Sequence, residues 1–108
     1  MTVSELISKC GFGAKALPSP DRDVSGCYIG DLLSWVMGRA KADDAWITIM
    51  SNQNVIAVAS LADVACVITA EGVVPDSELI SLAEEKGVNI LTSELPLYET
   101  AKKLFLLK

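Results

Sequence analysis

Residues 24–38 read Val-Ser-Gly-Cys-Tyr-Ile-Gly-Asp-Leu-Leu-Ser-Trp-Val-Met-Gly, a short β-prone run that turns at Gly30-Asp31 into a mostly apolar helix. The same order of strand, turn and helix recurs over residues 45–61, 64–86 and 88–107. A chain that alternates in this way has few folded solutions. Each helix carries the chain back across a sheet, so successive strands run parallel. The expected fold is α/β, a single small domain with a mostly parallel sheet of about four to five strands and helices on both faces. At 108 residues, about half of them apolar, the chain can fill one core but not two.

The strands and helices can be placed coarsely. The first helix is expected over about residues 4–9, stopped by Gly11, with a short strand over 14–17. Pro18 and Pro20 punctuate a polar loop over 18–23, which is the best candidate for a mobile segment. Strands follow over 24–29, 45–50, 64–69 and 88–91. Helices are expected over 31–39, 55–62 and 76–86, and a last one begins near Pro96. Ser4-Glu5-Leu6-Ile7-Ser8 reappears as Ser77-Glu78-Leu79-Ile80-Ser81, which marks two similar helix-turn-strand units.

Between Trp46 and Ala70 the only charged residue is Asp63. Ser51-Asn52-Gln53-Asn54 interrupts this apolar stretch, so no run of about 18 apolar residues remains to cross a bilayer. No membrane partner is expected. The helix over 55–62 is apolar around nearly its whole circumference, unlike a surface helix with one wet face. Its outer side must be covered, and a second copy of the chain is the most economical cover. A homodimer is therefore expected, with Val55, Ile56, Val58 and Ala59 at its interface.

Nine basic residues against fourteen acidic ones give a net charge of −5, and no basic cluster exceeds Lys102-Lys103. A surface that tracks nucleic-acid phosphates is not expected. The first residues carry no basic segment followed by an apolar run, so the expected location is the cytoplasm. Three cysteines, with no Cys-x-x-Cys pair and no histidine, fit reduced core thiols better than a disulfide framework or a zinc site. Without histidine the usual general base is missing, so no catalytic residue is assigned. Gly11-Phe12-Gly13 follows a helix rather than a strand and lacks a third glycine at Ala16, so no dinucleotide cofactor is expected there.

The stretch 24–38, with Glu71-Gly72-Val73, Ala83-Glu84-Glu85-Lys86-Gly87-Val88 and Ile90-Leu91-Thr92-Ser93 downstream, resembles the DRTGG domain family. It is similar to the non-catalytic amino-terminal domain of HPr kinase/phosphorylase. The resemblance implies this fold and a regulatory role. It does not imply kinase activity, because that chemistry belongs to a separate P-loop domain and no Gly-x-x-x-x-Gly-Lys-Ser/Thr occurs here.

In open parallel sheets, ligands bind where strands end and helices begin. Four loops are expected at that edge. They contribute Gly30 and Asp31; Ser51, Asn52 and Asn54; Thr69 and Glu71; and Thr92, Ser93 and Glu94. Helix N-termini favour an anion there, whereas the three carboxylates call for an accompanying cation or an amino group on the ligand, so a metal-nucleotide or an amine-bearing ligand suits the edge better than a bare phosphate. The competing reading is that Asp31, Ser51, Asn52, Asn54 and Ser93 only cap helices. Three functions follow from these features. They are a homodimeric sensor of a small ligand such as a nucleotide, a pure assembly module that docks a partner enzyme, and a metal-dependent phosphoester hydrolase.

Overall fold

A computed structural model describes residues 1–107 and contains ten elements. In chain order they are α1 (Val3–Cys10), β1 (Gly13–Ala16), β2 (Gly26–Ile29), α2 (Leu33–Arg39), β3 (Asp44–Thr48), α3 (Gln53–Ala62), β4 (Cys66–Thr69), α4 (Ser77–Lys86), β5 (Ile90–Thr92) and α5 (Leu97–Phe105). The five strands form one sheet in the order β1-β5-β4-β3-β2. The four strands from β2 to β5 run parallel, and β1 joins β5 antiparallel with a register shift between Ala14 and Ala16. The helices lie on both faces, as the alternating sequence requires.

Side-chain alternation along the central strands divides the core in two. Trp46, Val67 and Ile90 point to one face, where Val36 of α2, Val55, Ile56, Val58 and Ala59 of α3, and Leu79 and Ala83 of α4 cover them. Ala45, Ile47, Cys66, Ile68 and Leu91 point to the other, beneath Val3, Leu6 and Cys10 of α1 and Leu104 of α5. Every residue of β3 and β4 is buried, which is why these strands read as near-continuous apolar runs. Among the described residues no helix is long and apolar enough to cross a membrane.

The repeated pentapeptides both lie in the first turns of a helix, α1 and α4, one residue out of step: Glu5 is the third helical residue of α1 and Glu78 the second of α4. Each helix has a side-chain cap at its start: Thr2 accepts from Glu5 N, and Asp76 from Leu79 N. Each ends on a left-handed glycine, Gly11 or Gly87, both with φ of 75°. The strands that follow them, β1 and β5, are sheet neighbours.

Two expectations are corrected. Val55, Ile56, Val58 and Ala59 are at most 8% exposed, so they do not lie on a surface that a second copy could reach. The buried side of α3 packs on the sheet and between α2 and α4 of the same chain, and its outer face, with Gln53, Asn54, Ala57, Ser60 and Leu61, is exposed. Nor is the 18–23 loop loosely held. Ser19 N donates to Asn89 Oδ1 at 2.9 Å, Asn89 Nδ2 donates to Ser19 O at 2.8 Å, and Ser4 N donates to Pro20 O at 3.0 Å.

Candidate functional site

The sheet order brings the four loops of the expected site to one edge, in the sequence β5, β4, β3, β2. Neighbouring loops are tied together in pairs. Asp31 leaves β2 and turns to the end of β3, where its Oδ1 accepts from Thr48 Oγ1 at 2.7 Å and from Ile49 N at 2.9 Å. Beside it, Gly30 O accepts from Trp46 Nε1 at 2.9 Å, and Gly30 N donates to Ile47 O at 3.2 Å. Asp31 is thus a cross-strand clamp rather than a helix cap. The N-cap of α2 is Leu32, which makes no side-chain capping bond.

The other pair is built from β4 and β5. Glu71 sits at a φ of 60°; its N–H donates to Leu95 O at 2.8 Å, and its Oε2 accepts from Leu97 N at 3.2 Å. Glu71 therefore caps α5 from a distance, which explains how that helix begins at Pro96 with no cap of its own. Ser93 is buried, its Oγ 2.8 Å from Thr100 Oγ1 and accepting from Leu95 N at 3.2 Å. Thr69 Oγ1 donates to Val73 O at 2.8 Å. Asn52 caps α3 by accepting from Asn54 N at 2.9 Å. Ser51 is half-buried just before that cap.

Of the ten expected ligand-binding residues, Thr92, Ser93 and Glu94 share a cleft of about 460 Å³ at the end of β5. Its other walls are Cys10, Gly11, Phe12 and Gly13 from the α1–β1 turn, with Leu95 and Lys103. Lys103 Nζ donates to Cys10 O at 3.2 Å, so an ammonium and the exposed Glu94 carboxylate border the same opening. The Cys10 thiol is pushed up by burial, with Lys103 opposing the shift. Asp31, Asn52 and Glu71 do not line this cleft. Among the described residues no three Cys, Asp or Glu side chains gather where they could hold a metal ion.

At the opposite edge of the sheet, Arg22 organises three loops. It forms ion pairs with Asp43 at 3.0 Å and Asp63 at 2.9 Å, and Nη2 also donates to the Asp63 carbonyl. Both aspartates have positive φ, 69° and 60°. Burial alone would lower the Arg22 pKa, but its bonds to Asp43 and Asp63 raise it. A second cleft, of about 510 Å³ and mostly apolar, lies between the outer strand β2 and α5; Val24, Cys27, Ile29, Leu104 and Phe105 are among its walls. Residue patterns alone did not reveal it, because its two sides come from opposite ends of the sequence.

Comparison with known proteins agrees with this architecture. No curated protein matches the chain significantly. Among solved structures, the chain is similar to the regulatory region of Clostridium perfringens pyrophosphatase, comprising CBS and DRTGG domains, in complex with its activator diadenosine tetraphosphate. The TM-score is 0.74 at 13% identity, and the match covers 95% of this chain and 45% of that one. The likeness is one of fold, and the chain spans less than half of that protein's length. The DRTGG domain pattern matches residues 21–107. From Asp21, through the Arg22 cluster, to the last described helix, the chain belongs to the DRTGG domain family.

Proposed function

We propose that the chain is a non-catalytic regulatory domain that homodimerises and senses a small ligand, a metal-bound nucleotide, at the C-terminal edge of its parallel sheet. The observation that carries this reading is the cleft at the end of β5, where Thr92, Ser93 and Glu94 meet the Lys103 ammonium. An ammonium favours phosphate, and a carboxylate beside it favours the accompanying cation. The complex of the pyrophosphatase regulatory region with diadenosine tetraphosphate supports the choice of probe. Elsewhere on the edge, Asp31 and Glu71 use their carboxylates to hold the chain's own loops, so they shape the site rather than touch the ligand.

The test is calorimetric titration with ATP and with diadenosine tetraphosphate, each with and without Mg²⁺. Saturable binding that weakens at least tenfold in Lys103→Ala is expected, with unchanged circular dichroism. Absence of heat for both probes under all conditions contradicts the sensing reading. It would favour instead an assembly module that docks a partner enzyme, a reading for which the apolar cleft beside β2 is the supporting observation.

A further inference from the structure

One helix stands between the two clefts. Lys103 of α5 borders the cleft at the end of β5, and Ala101, Leu104 and Phe105 of the same helix wall the mostly apolar cleft beside β2. With about 100° between successive residues, Lys103 lies on the opposite side of α5 from Ala101 and Phe105. Any shift of the helix that follows Lys103 therefore alters both openings.

The two ends of α5 are held by different means. The first turn is fastened to the exits of β4 and β5. Glu71 Oε2 accepts from Leu97 N at 3.2 Å, and the buried Thr100 Oγ1 lies 2.8 Å from Ser93 Oγ and donates to Leu95 O at 3.2 Å. Farther along, α5 meets α1 through Leu104, which shares a core cluster with Leu6 and Cys10, and through the Lys103 ammonium, which donates to Cys10 O at 3.2 Å. Cys10 is the final residue of α1, so its carbonyl is among those a helix leaves without an internal partner, at the negative end of the helix dipole. Phe105 and Leu106 are 73 and 69% exposed and add little packing at that end.

The partner of the ammonium is thus a neutral carbonyl. A phosphate entering the cleft is a stronger acceptor, because a hydrogen bond between two full charges is shorter and stronger than one to a neutral oxygen. We infer that phosphate capture by Lys103 releases Cys10 O and lets the last turns of α5 pivot about the fastened first turn, moving Leu104 and Phe105 and so reshaping the apolar cleft beside β2. The ligand favours the released position because its phosphate meets the ammonium there, which is the differential contact that a shift of this kind needs. This inference rests on the sensing reading above and adds how occupancy of the β5 cleft reaches the far side of the domain.

NMR of the full chain titrated with ATP and Mg²⁺ tests it. The amides of Thr92, Ser93 and Glu94 report the cleft at β5, and the methyl groups of Ile29 and Leu104 report the apolar cleft. Ile29 is three strands away from β5, about 14 Å across the sheet, and shares its cleft with the Phe105 ring, whose displacement changes its shift. Both methyl signals should move in step with the cleft amides, giving dissociation constants equal within about twofold. Lys103→Met, which removes the bond to Cys10 O, should move both methyl signals in the same direction without nucleotide, and its response to nucleotide should be at least tenfold weaker. Cleft amides that shift while Ile29 and Leu104 stay still overturn the relay and leave the sensing reading standing. Ile29 and Leu104 at their wild-type positions in Lys103→Met overturn the relay whatever the nucleotide does. No shift at any of these groups overturns the sensing reading and the relay together.

Discussion

Single residues fix geometry that neighbours in sequence cannot supply. A Cβ on Gly26 would stand 2.5 Å from Asp44 Oδ1, and Asp44 is buried with its Oδ2 accepting from Lys41 N at 2.8 Å. Gly26→Ala is therefore expected to cost about 1–3 kcal/mol, read by urea denaturation. Asn89 was not singled out in the sequence, where it lies inside the strand expected over 88–91. It is 2% exposed and also donates from Nδ2 to Ala65 O at 2.9 Å, so it fastens the 18–23 loop to the strand end. Truncation to Ala should cost about 2–3 kcal/mol by stranding these partners. The cysteines behave as core thiols at Cys10 and Cys66, whereas Cys27 is exposed. Burial pushes Cys66 up to about 12 from an ordinary value of 9.0. The unfolded chain therefore ionises first, and the Cys66 contribution to stability is present below pH 9 and lost as pH rises from there toward 12. Denaturation midpoints should fall across this window, and less steeply in Cys66→Ala.

Elements show where local pattern suffices and where it does not. All five strands and all five helices were legible from period and punctuation, because burial on one or both faces writes itself into the order of apolar residues. What covers a face is not written there. The apolar circumference of α3 was read as a sign of a partner chain at Val55, Ile56, Val58 and Ala59, but the sheet, α2 and α4 bury those four, and the residues left exposed are Ala57, Ser60 and Leu61. Val58→Asp should consequently unfold the domain by placing an unpaired charge in its core, rather than yield a folded monomer; loss of the far-ultraviolet helix signal checks this. Capping was equally half-visible. Asn52 and Asp76 cap the helices that follow them, whereas α5 takes its cap from Glu71, 26 residues upstream of Leu97. Glu71→Ala should fray the first turn of α5 and cost about 1 kcal/mol, seen as faster amide exchange at Leu97.

For the whole molecule, the sheet has a polar edge where strands end and an apolar cleft where β2 lies beside α5. The first brings Thr92, Ser93, Glu94 and Lys103 to one cleft, and the second gathers apolar side chains from both ends of the chain. A sensing domain needs both kinds of surface, one for the ligand and one through which its occupancy reaches another protein chain. The candidate site was legible as a set of loops, because parallel strands force their exits to one edge. Which loop residues remain available to a ligand depended on long-range bonds such as those of Asp31 and Glu71. Native mass spectrometry of the purified chain with diadenosine tetraphosphate and Mg²⁺ tests the account most directly. It should show a dimer carrying the mass of the nucleotide, with the added mass lost in Lys103→Ala. A bare monomer at every nucleotide concentration would contradict it.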